Sequence, residues 1–360
     1  MKFIPSEFKV DIPESRTAQH PPDERDNSKL LVFQQSSGRI IHLGRFRDIV
    51  EFMAGDTIIF NNTKVIPAMV AGQKSGGGKL TILFMQSSTT DLKRAVSDTK
   101  DSPEGFVIQS LINPGRRLKP DHRITLPDGC AYELIAKDRE GIWTGRLLGV
   151  PEERLMEWLD DIGTVPLPPY IKREVVSSDR HRFQTTYAEI IGSLAAPTAG
   201  FHFTKLLMQG LETKGSSLHF ISLNIGLGTF RLIRSADLST FKIHAESYYL
   251  PPDTAEAING CISDRAPITL VGTTVMRTLE SAVGDAGQVL SGAGNTKLFI
   301  TPPYDFKVSE RLLTNFHRAD STVIQLVAAL IGWENLNLCY QTALENDFGF
   351  YSYGDAMLVI

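Results

Sequence analysis

The chain has 360 residues, of which 42% are hydrophobic and 22% charged, with a formal net charge of −4. These proportions exclude a wholly disordered chain, and the length exceeds one average domain, so two domains or one domain with an insertion are expected. The slightly acidic balance excludes polyanion binding through bulk charge, so a nucleic-acid partner would need a local cluster of Lys and Arg.

The N-terminal run MKFIPSEFKVDIPE carries charges and no apolar stretch, which argues against a signal peptide. Residues 30–33 and 57–60 read as buried strands from their β-branched and aromatic content. Residues 45–53 read as a short helix ended by Ala54-Gly55-Asp56. After Pro67, short strands at 70–72, 80–84, 132–135 and 144–148 alternate with Gly, Pro and Asp turns, and 87–102 reads as a polar loop. That texture predicts a small antiparallel β-barrel over 68–149. A helix follows Pro151, with Leu155, Met156, Trp158, Leu159 and Ile162 on one face and Gly163 at its end. From about residue 164, strands and helices alternate: a strand at 217–224, a strand at 268–272 entering a helix at 275–283, and helices at 322–332 and 333–344. The expected architecture is an α/β main domain formed by 1–67 and 150–360, with parallel strands, crossover helices and the barrel inserted. Cys130, Cys261 and Cys339 are widely spaced and form no CxxC pair, which argues against a disulfide framework or zinc site. A reducing, cytoplasmic compartment is expected. No membrane association is expected either, because the longest apolar stretch, 323–333, falls short of the roughly 20 residues a bilayer crossing takes.

Several short polar segments of the α/β part stand beside apolar strands or helices. In 195–204, Pro197 and Gly200 force a tight loop, His202 follows, and Thr204 can N-cap the next helix. In 224–230, Gly226, Gly228 and Thr229 would let the backbone approach a ligand closely. In 272–280, Thr273 or Thr274 can cap a helix whose N-terminus favours an anion, and Arg277 falls in the first turn expected there, against the dipole. Residues 314–317 end in His317, and 351–357 contain Asp355. His244 and Glu246 lie two apart and could share a strand face, a pairing suited to acid–base chemistry near neutral pH. None of the eight histidines has metal-ligand spacing, so no metal is expected.

Taken in order, these segments resemble the S-adenosylmethionine:tRNA ribosyltransferase-isomerase family of queuosine synthesis. The carriers are 60–68 (FNNTKVIPA), 163–171 (GTVPLPPYI), 183–188 (FQTTYA), the AAPTAG-x-HF stretch, GTT-x-x-R-x-LES, TNFH and the YSYGDAM near the end. The resemblance covers nearly the whole chain. It implies a larger α/β domain with an inserted β-barrel. It also implies transfer of the ribosyl part of S-adenosylmethionine to 7-aminomethyl-7-deazaguanine at the wobble position of tRNA with a GUN anticodon. The product is epoxyqueuosine in tRNA, and adenine and methionine leave. The sulfonium acidifies the adjacent ribose carbon, so the reaction needs a base and an acid but no metal and no cofactor beyond this co-substrate. On the matching positions the resemblance makes His202, His244, Glu246 and His317 acid–base candidates. Gly226, Gly228, Thr229, Thr273, Thr274 and Arg277 would hold S-adenosylmethionine, Arg277 through the methionine carboxylate. Asp355 would take a hydroxyl or the substrate amine, and Asn61 and Asn62 the modified base.

The chain departs from the family pattern inside these blocks. Position 224 is Asn where the family has His, and an amide cannot take up a proton near neutral pH. The TNFHLP-x-S block reads Thr314-Asn315-Phe316-His317-Arg318-Ala319-Asp320-Ser321, the [IY]-x-YPG stretch reads Thr301-Pro302-Pro303, and HSE reads His244-Ala245-Glu246. A diverged S-adenosylmethionine-dependent enzyme acting on a small nucleoside or amine, or a non-catalytic RNA-binding relative, stays open at this point. Basic residues available for RNA are Arg116, Arg117, Lys119 and Arg123 in the barrel and Lys172 and Arg173 after the PLPPYI block. A monomer is expected.

Overall fold

A computed structural model describes residues 5–85, 105–226, 243 and 245–360. The polar loop expected at 87–102 lies outside the described residues. The chain forms two compact units. The first takes residues within 1–64, 167–174 and 181–360; the second takes 65–166 and 175–180. Strands and the longer helices are numbered below along the whole chain.

The first unit is built on a nine-stranded mixed sheet. Its strands are β1 (Lys29–Gln34), β2 (Arg39–Arg45), β3 (Thr57–Asn61), β12 (Ser217–Leu223), β13 (Glu246–Leu250), β14 (Ile268–Val271), β15 (Gly292–Thr296), β16 (Arg311–Asn315) and β17 (Ala356–Val359). They lie in the order β15-β13-β12-β3-β14-β16-β17-β1-β2. The inner four, β12, β3, β14 and β16, run parallel to one another, with Phe220 opposite Phe60 and Leu270 opposite both Ile59 and Leu312. Outside this block β1 and β17 are also parallel, while the remaining pairs are antiparallel. The expected parallel α/β arrangement thus describes the centre, and antiparallel strands extend it on both sides.

Alternation along the strands explains the two cores. Leu31, Phe33, Ile59 and Leu270 belong to one cluster, whereas Leu30, Val32, Ile58, Phe60 and Val271 belong to the other. The first cluster takes its helical side from α3 (Pro252–Asp264), α4 (Thr273–Ala282) and α5 (Thr322–Glu345). The second takes Leu207 and Leu211 of α2 (Lys205–Thr213) together with Phe46 and Phe203. A sheet covered on both faces requires strands apolar throughout, and every residue of β3 is buried. Thr204 caps α2 as its position suggested, its Oγ1 accepting from the Leu207 N–H at 3.1 Å.

Helix α5 runs 24 residues, past the apolar stretch read from sequence, with a break at Gly332, whose φ is 78°. By length and composition it could cross a membrane. Its Ile324, Leu326, Val327, Leu336, Tyr340 and Ala343 are instead buried in the larger core.

The second unit contains a closed antiparallel barrel of β5 (Met69–Lys74), β6 (Lys79–Met85), β7 (Phe106–Asn113), β8 (Arg123–Thr125), β9 (Ala131–Lys137) and β10 (Trp143–Leu148). Trp143, Tyr132 and Phe84 are buried in it. The Tyr132 hydroxyl donates to the Ile108 carbonyl at 2.8 Å and accepts from Ser110 Oγ at 3.1 Å, so the buried phenol is satisfied. This unit is wider than the span 68–149, because it also holds α1 (Leu155–Ile162), expected in the main domain. Gly163 ends α1, where a Cβ would lie 1.8 Å from the Pro67 carbonyl oxygen, so only glycine fits.

Candidate active site

The first unit holds a cavity of about 180 Å³ lined by residues following β14 and β16, the 195–199 loop, Pro168-Pro169-Tyr170, the head of α5 and Tyr351-Ser352. In sheets with parallel strands, ligands bind beyond the carboxyl ends of the strands, as here. One wall is the start of α4. Gly272, with φ at 94°, turns the chain directly from β14 into the helix, a conformation that favours glycine. Gly272 itself is the N-cap and no side chain caps the helix, which corrects the expected Thr273 or Thr274 cap. Those threonines are the first helical residues, and their N–H groups have no protein acceptor among the described residues. The wall therefore presents unused donors at the positive end of a ten-residue helix.

Another wall is aromatic and cationic. The Arg318 guanidinium makes two 2.8 Å hydrogen bonds to the buried Asp320 carboxylate. It also lies 5.7 Å from the Tyr170 ring centre and 5.9 Å from that of Tyr351. The two tyrosines are in contact, with centres 5.1 Å apart, and Tyr170 Oη is 2.7 Å from Ser352 Oγ. Tyr351 has φ at 72°, a strained value for a tyrosine, held by its N–H donating to Phe316 O and its carbonyl accepting from Gly354.

Of the residues singled out by sequence, His317, Thr273 and Thr274 line this cavity. His317 Nε2 lies 2.7 Å from Thr314 Oγ1, and its Nδ1 has no protein partner among the described residues. Burial pulls its pKa down to about 4, so the ring is neutral at pH 7. His202 does not line the cavity. It is stacked on Phe46, with Nδ1 2.7 Å from Ser28 Oγ and Nε2 3.2 Å from the Asn315 amide nitrogen. Burial, then the nearby Arg25 charge, lower its pKa to about 3.

Glu246, Arg277 and Gly226 form a separate group. Glu246 Oε2 accepts from Arg277 Nη1 at 2.6 Å and Oε1 from the Gly226 N–H at 3.0 Å, while Arg277 Nε donates to Leu298 O. Because α4 starts at Thr273, Arg277 sits beyond the first turn, correcting the position read from sequence. Its charge is answered within the protein by Glu246, and neither residue lines the cavity. Asn61 is buried with its amide used by the backbone: Oδ1 accepts from Thr63 and Leu223, and Nδ2 donates to Leu223 O. Asn62 is bonded to Ser222 and Glu189. Asp355 accepts from the Lys29 and Gly349 N–H groups at 2.6 and 2.7 Å, tying β1 to the preceding turn, and burial raises its pKa. Gly228, Thr229 and His244 lie outside the described residues.

The cavity also exposes what sequence reasoning passed over, Thr198, Asn315, Tyr170 and Tyr351, together with Arg318, read from sequence only as a departure from the family pattern. All five stand inside the segments already quoted, Thr198, Asn315 and Arg318 in those whose histidines drew attention first. Thr198 Oγ1 donates to Asn315 Oδ1 at 2.7 Å. Among the described residues, no three His, Cys, Asp or Glu side chains are grouped to hold a metal ion. Arg116, Arg117, Lys119 and Arg123 are exposed on the second unit, with Arg123 paired to Glu133. On the first unit, Lys172 pairs with Glu14 and Arg173 donates to Gln19 O.

Comparison with known proteins adds the family. The pattern described as "Queuosine biosynthesis protein" matches residues 5–359. The S-adenosylmethionine:tRNA ribosyltransferase-isomerase of Desulfitobacterium hafniense is 39% identical over 358 residues, covering 98% of this chain and 99% of that protein. The protein of the same name from Clostridioides difficile is 38% identical over 357 residues, 98% of each chain. The crystal structure of the S-adenosylmethionine tRNA ribosyltransferase from Thermotoga maritima is similar, with a TM-score of 0.53 and 26% identity, covering 99% of this chain and 100% of that one. All but the 60–68 block of the segments that resembled one family in sequence thus meet around one cavity, and similarity extends from end to end: the chain belongs to the queuosine biosynthesis protein family.

Proposed function

We propose that the chain transfers and isomerises the ribosyl moiety of S-adenosylmethionine onto 7-aminomethyl-7-deazaguanine at the wobble position of GUN-anticodon tRNA. Epoxyqueuosine-tRNA forms, and adenine and methionine are released. The observation that carries the reading is the convergence of the PLPPYI, AAPTAG, GTT, TNFH and YSYGD segments on a single cavity. The relatives' shared name, S-adenosylmethionine:tRNA ribosyltransferase-isomerase, supports S-adenosylmethionine and tRNA as the two substrates.

The cavity's chemistry suits that co-substrate. The free amides of Thr273 and Thr274 at the start of α4 would take the methionine carboxylate, since a helix N-terminus attracts an anion without an arginine. The flat Tyr170–Arg318–Tyr351 wall would stack the adenine. Among the described acid–base candidates, His317 alone lines the cavity, and its neutral ring can accept the proton that the sulfonium acidifies. The exposed Arg116, Arg117, Lys119 and Arg123 would contact RNA phosphates.

The test is incubation with S-adenosylmethionine and tRNA carrying the deazaguanine precursor, followed by nucleoside mass analysis and measurement of released adenine. Epoxyqueuosine with equimolar adenine supports the reading. Ribosyl transfer to a free nucleoside with adenine released and the tRNA unchanged, or RNA binding without adenine release, refutes it.

A further inference from the structure

His202 and the cavity wall are joined by hydrogen bonds whose direction is fixed at both ends. Asn315 Nδ2 reaches the Asp355 carbonyl at 3.4 Å, and a carbonyl oxygen only accepts, so the amide nitrogen must lie on that side. The same nitrogen faces His202 Nε2 at 3.2 Å, which must then be the bare, accepting nitrogen. The ring proton is left on Nδ1 and donates to Ser28 Oγ at 2.7 Å, while the Ser28 hydroxyl passes its own proton to the Arg25 carbonyl at 3.3 Å. With the amide nitrogen so placed, Asn315 Oδ1 faces Thr198 and accepts its hydroxyl proton at 2.7 Å. Thr198 and Asn315 both line the cavity, whereas His202 is buried behind them. The Thr198 oxygen can therefore offer a ligand only lone pairs.

We propose that His202 is a positioning residue that, through Asn315, fixes Thr198 as a hydrogen-bond acceptor on the cavity wall, so that this wall selects a ligand O–H or N–H donor. The inference rests on the function proposed above and deepens it. In S-adenosylmethionine the donor is a ribose hydroxyl or the methionine ammonium. His202 moves no proton in this arrangement, because protonating Nε2 would set two donors against each other. The low pKa of the ring agrees with that geometry.

The experiment is calorimetric binding of S-adenosylmethionine, its ribose-deoxy analogues and its desamino analogue to the full chain, alongside steady-state kinetics. Thr198→Val should weaken S-adenosylmethionine binding about three- to tenfold, the worth of one hydrogen bond, while Thr198→Ser keeps wild-type affinity. Thr198→Val should also bind one analogue as well as it binds S-adenosylmethionine, and that analogue names the donor. His202→Phe should raise KM by a similar factor with kcat little changed, and adding Thr198→Val to it should cost no more, because both act through one bond. Equal loss of affinity for every analogue on Thr198→Val, or additive single effects, overturns the proposal. So does a His202 variant that binds S-adenosylmethionine normally but loses kcat and one limb of its pH profile, which would make His202 the acid or base. If wild-type protein binds no S-adenosylmethionine, the functional reading fails first and takes this inference with it. Unchanged binding by Thr198→Val in a protein that does bind refutes the inference alone.

Discussion

Replacing Arg277 by Leu separates two roles for this residue. Its Nη1 lies 2.6 Å from Glu246 Oε2, with the Glu246 side chain 2% exposed and that of Arg277 16% exposed. Among the described residues, removing the guanidinium leaves a buried carboxylate supported by the Gly226 N–H alone. Breaking a buried pair by deleting one partner costs about 3–5 kcal/mol, most of it the desolvation of the orphaned charge. At roughly 2–4 °C per kcal/mol for a unit of this size, the melting transition of the sheet unit should fall by about 10 °C. Glu246→Gln keeps an acceptor for only one of the two donors, its amide NH2 facing the other, and should lose about 1–3 kcal/mol. The double change to Leu at both positions should recover much of the Arg277→Leu loss. Urea denaturation followed by near-ultraviolet circular dichroism measures all three, with S-adenosylmethionine affinity determined on the folded fraction. A loss below 1 kcal/mol for Arg277→Leu would refute the ion-pair reasoning. A hundredfold loss of affinity at unchanged stability would return Arg277 to the substrate carboxylate.

Stability should fall on acidification. His317 and His202 titrate near 4 and 3 in the folded chain against 6.5 when free. Between pH 6.5 and these values only the unfolded state binds the protons, so each histidine should remove about 2.5 kcal/mol by pH 4.5. Above pH 6.5 neither contributes, and a His317→Gln variant should show a visibly flatter urea-midpoint profile. Asp355→Ala should lose about 2–4 kcal/mol, two backbone N–H groups being left without their carboxylate, whereas Asp355→Asn should lose less. Gly200→Ala should destabilise by about 1–3 kcal/mol, because the new Cβ would lie 2.0 Å from the Tyr187 hydroxyl and 2.8 Å from Thr185. A thermal midpoint unchanged within 1 °C would contradict either expectation.

The fold was largely legible in the sequence because strands, caps and glycine stops act locally. The turn-punctuated strands marked the barrel, and the apolar run 268–271 entering Thr273 marked a strand feeding a helix. What stayed hidden was the outcome of competition between partners. Arg277 looked like a ligand-binding cation because it stands near a helix start, against the dipole, and Glu246, 31 positions away, meets it only in the folded chain. Asn61 and Asp355 looked like substrate contacts, yet backbone amides consume their capacity. His202 and Asn315, 113 positions apart, form a joint that no spacing rule anticipates. Histidine type drew the first reading towards proton transfer, although the polar groups facing the cavity beside it are Thr198 and Asn315.

The strand order bears on how the chain is assembled during translation. β17 lies between β16 and β1, and β2 is joined to the sheet only through β1. The hairpin at 29–45 leaves the ribosome before 356–359, yet its seat in the sheet is completed by that later strand. Until then the β1 edge that pairs with β17 stays open and the cluster around Leu30 and Val32 lacks Ala356 and Leu358, a window in which a chaperone has something to hold. A stop codon before Ala356 would remove the four residues of β17 directly and unmoor the thirteen strand residues of β1 and β2.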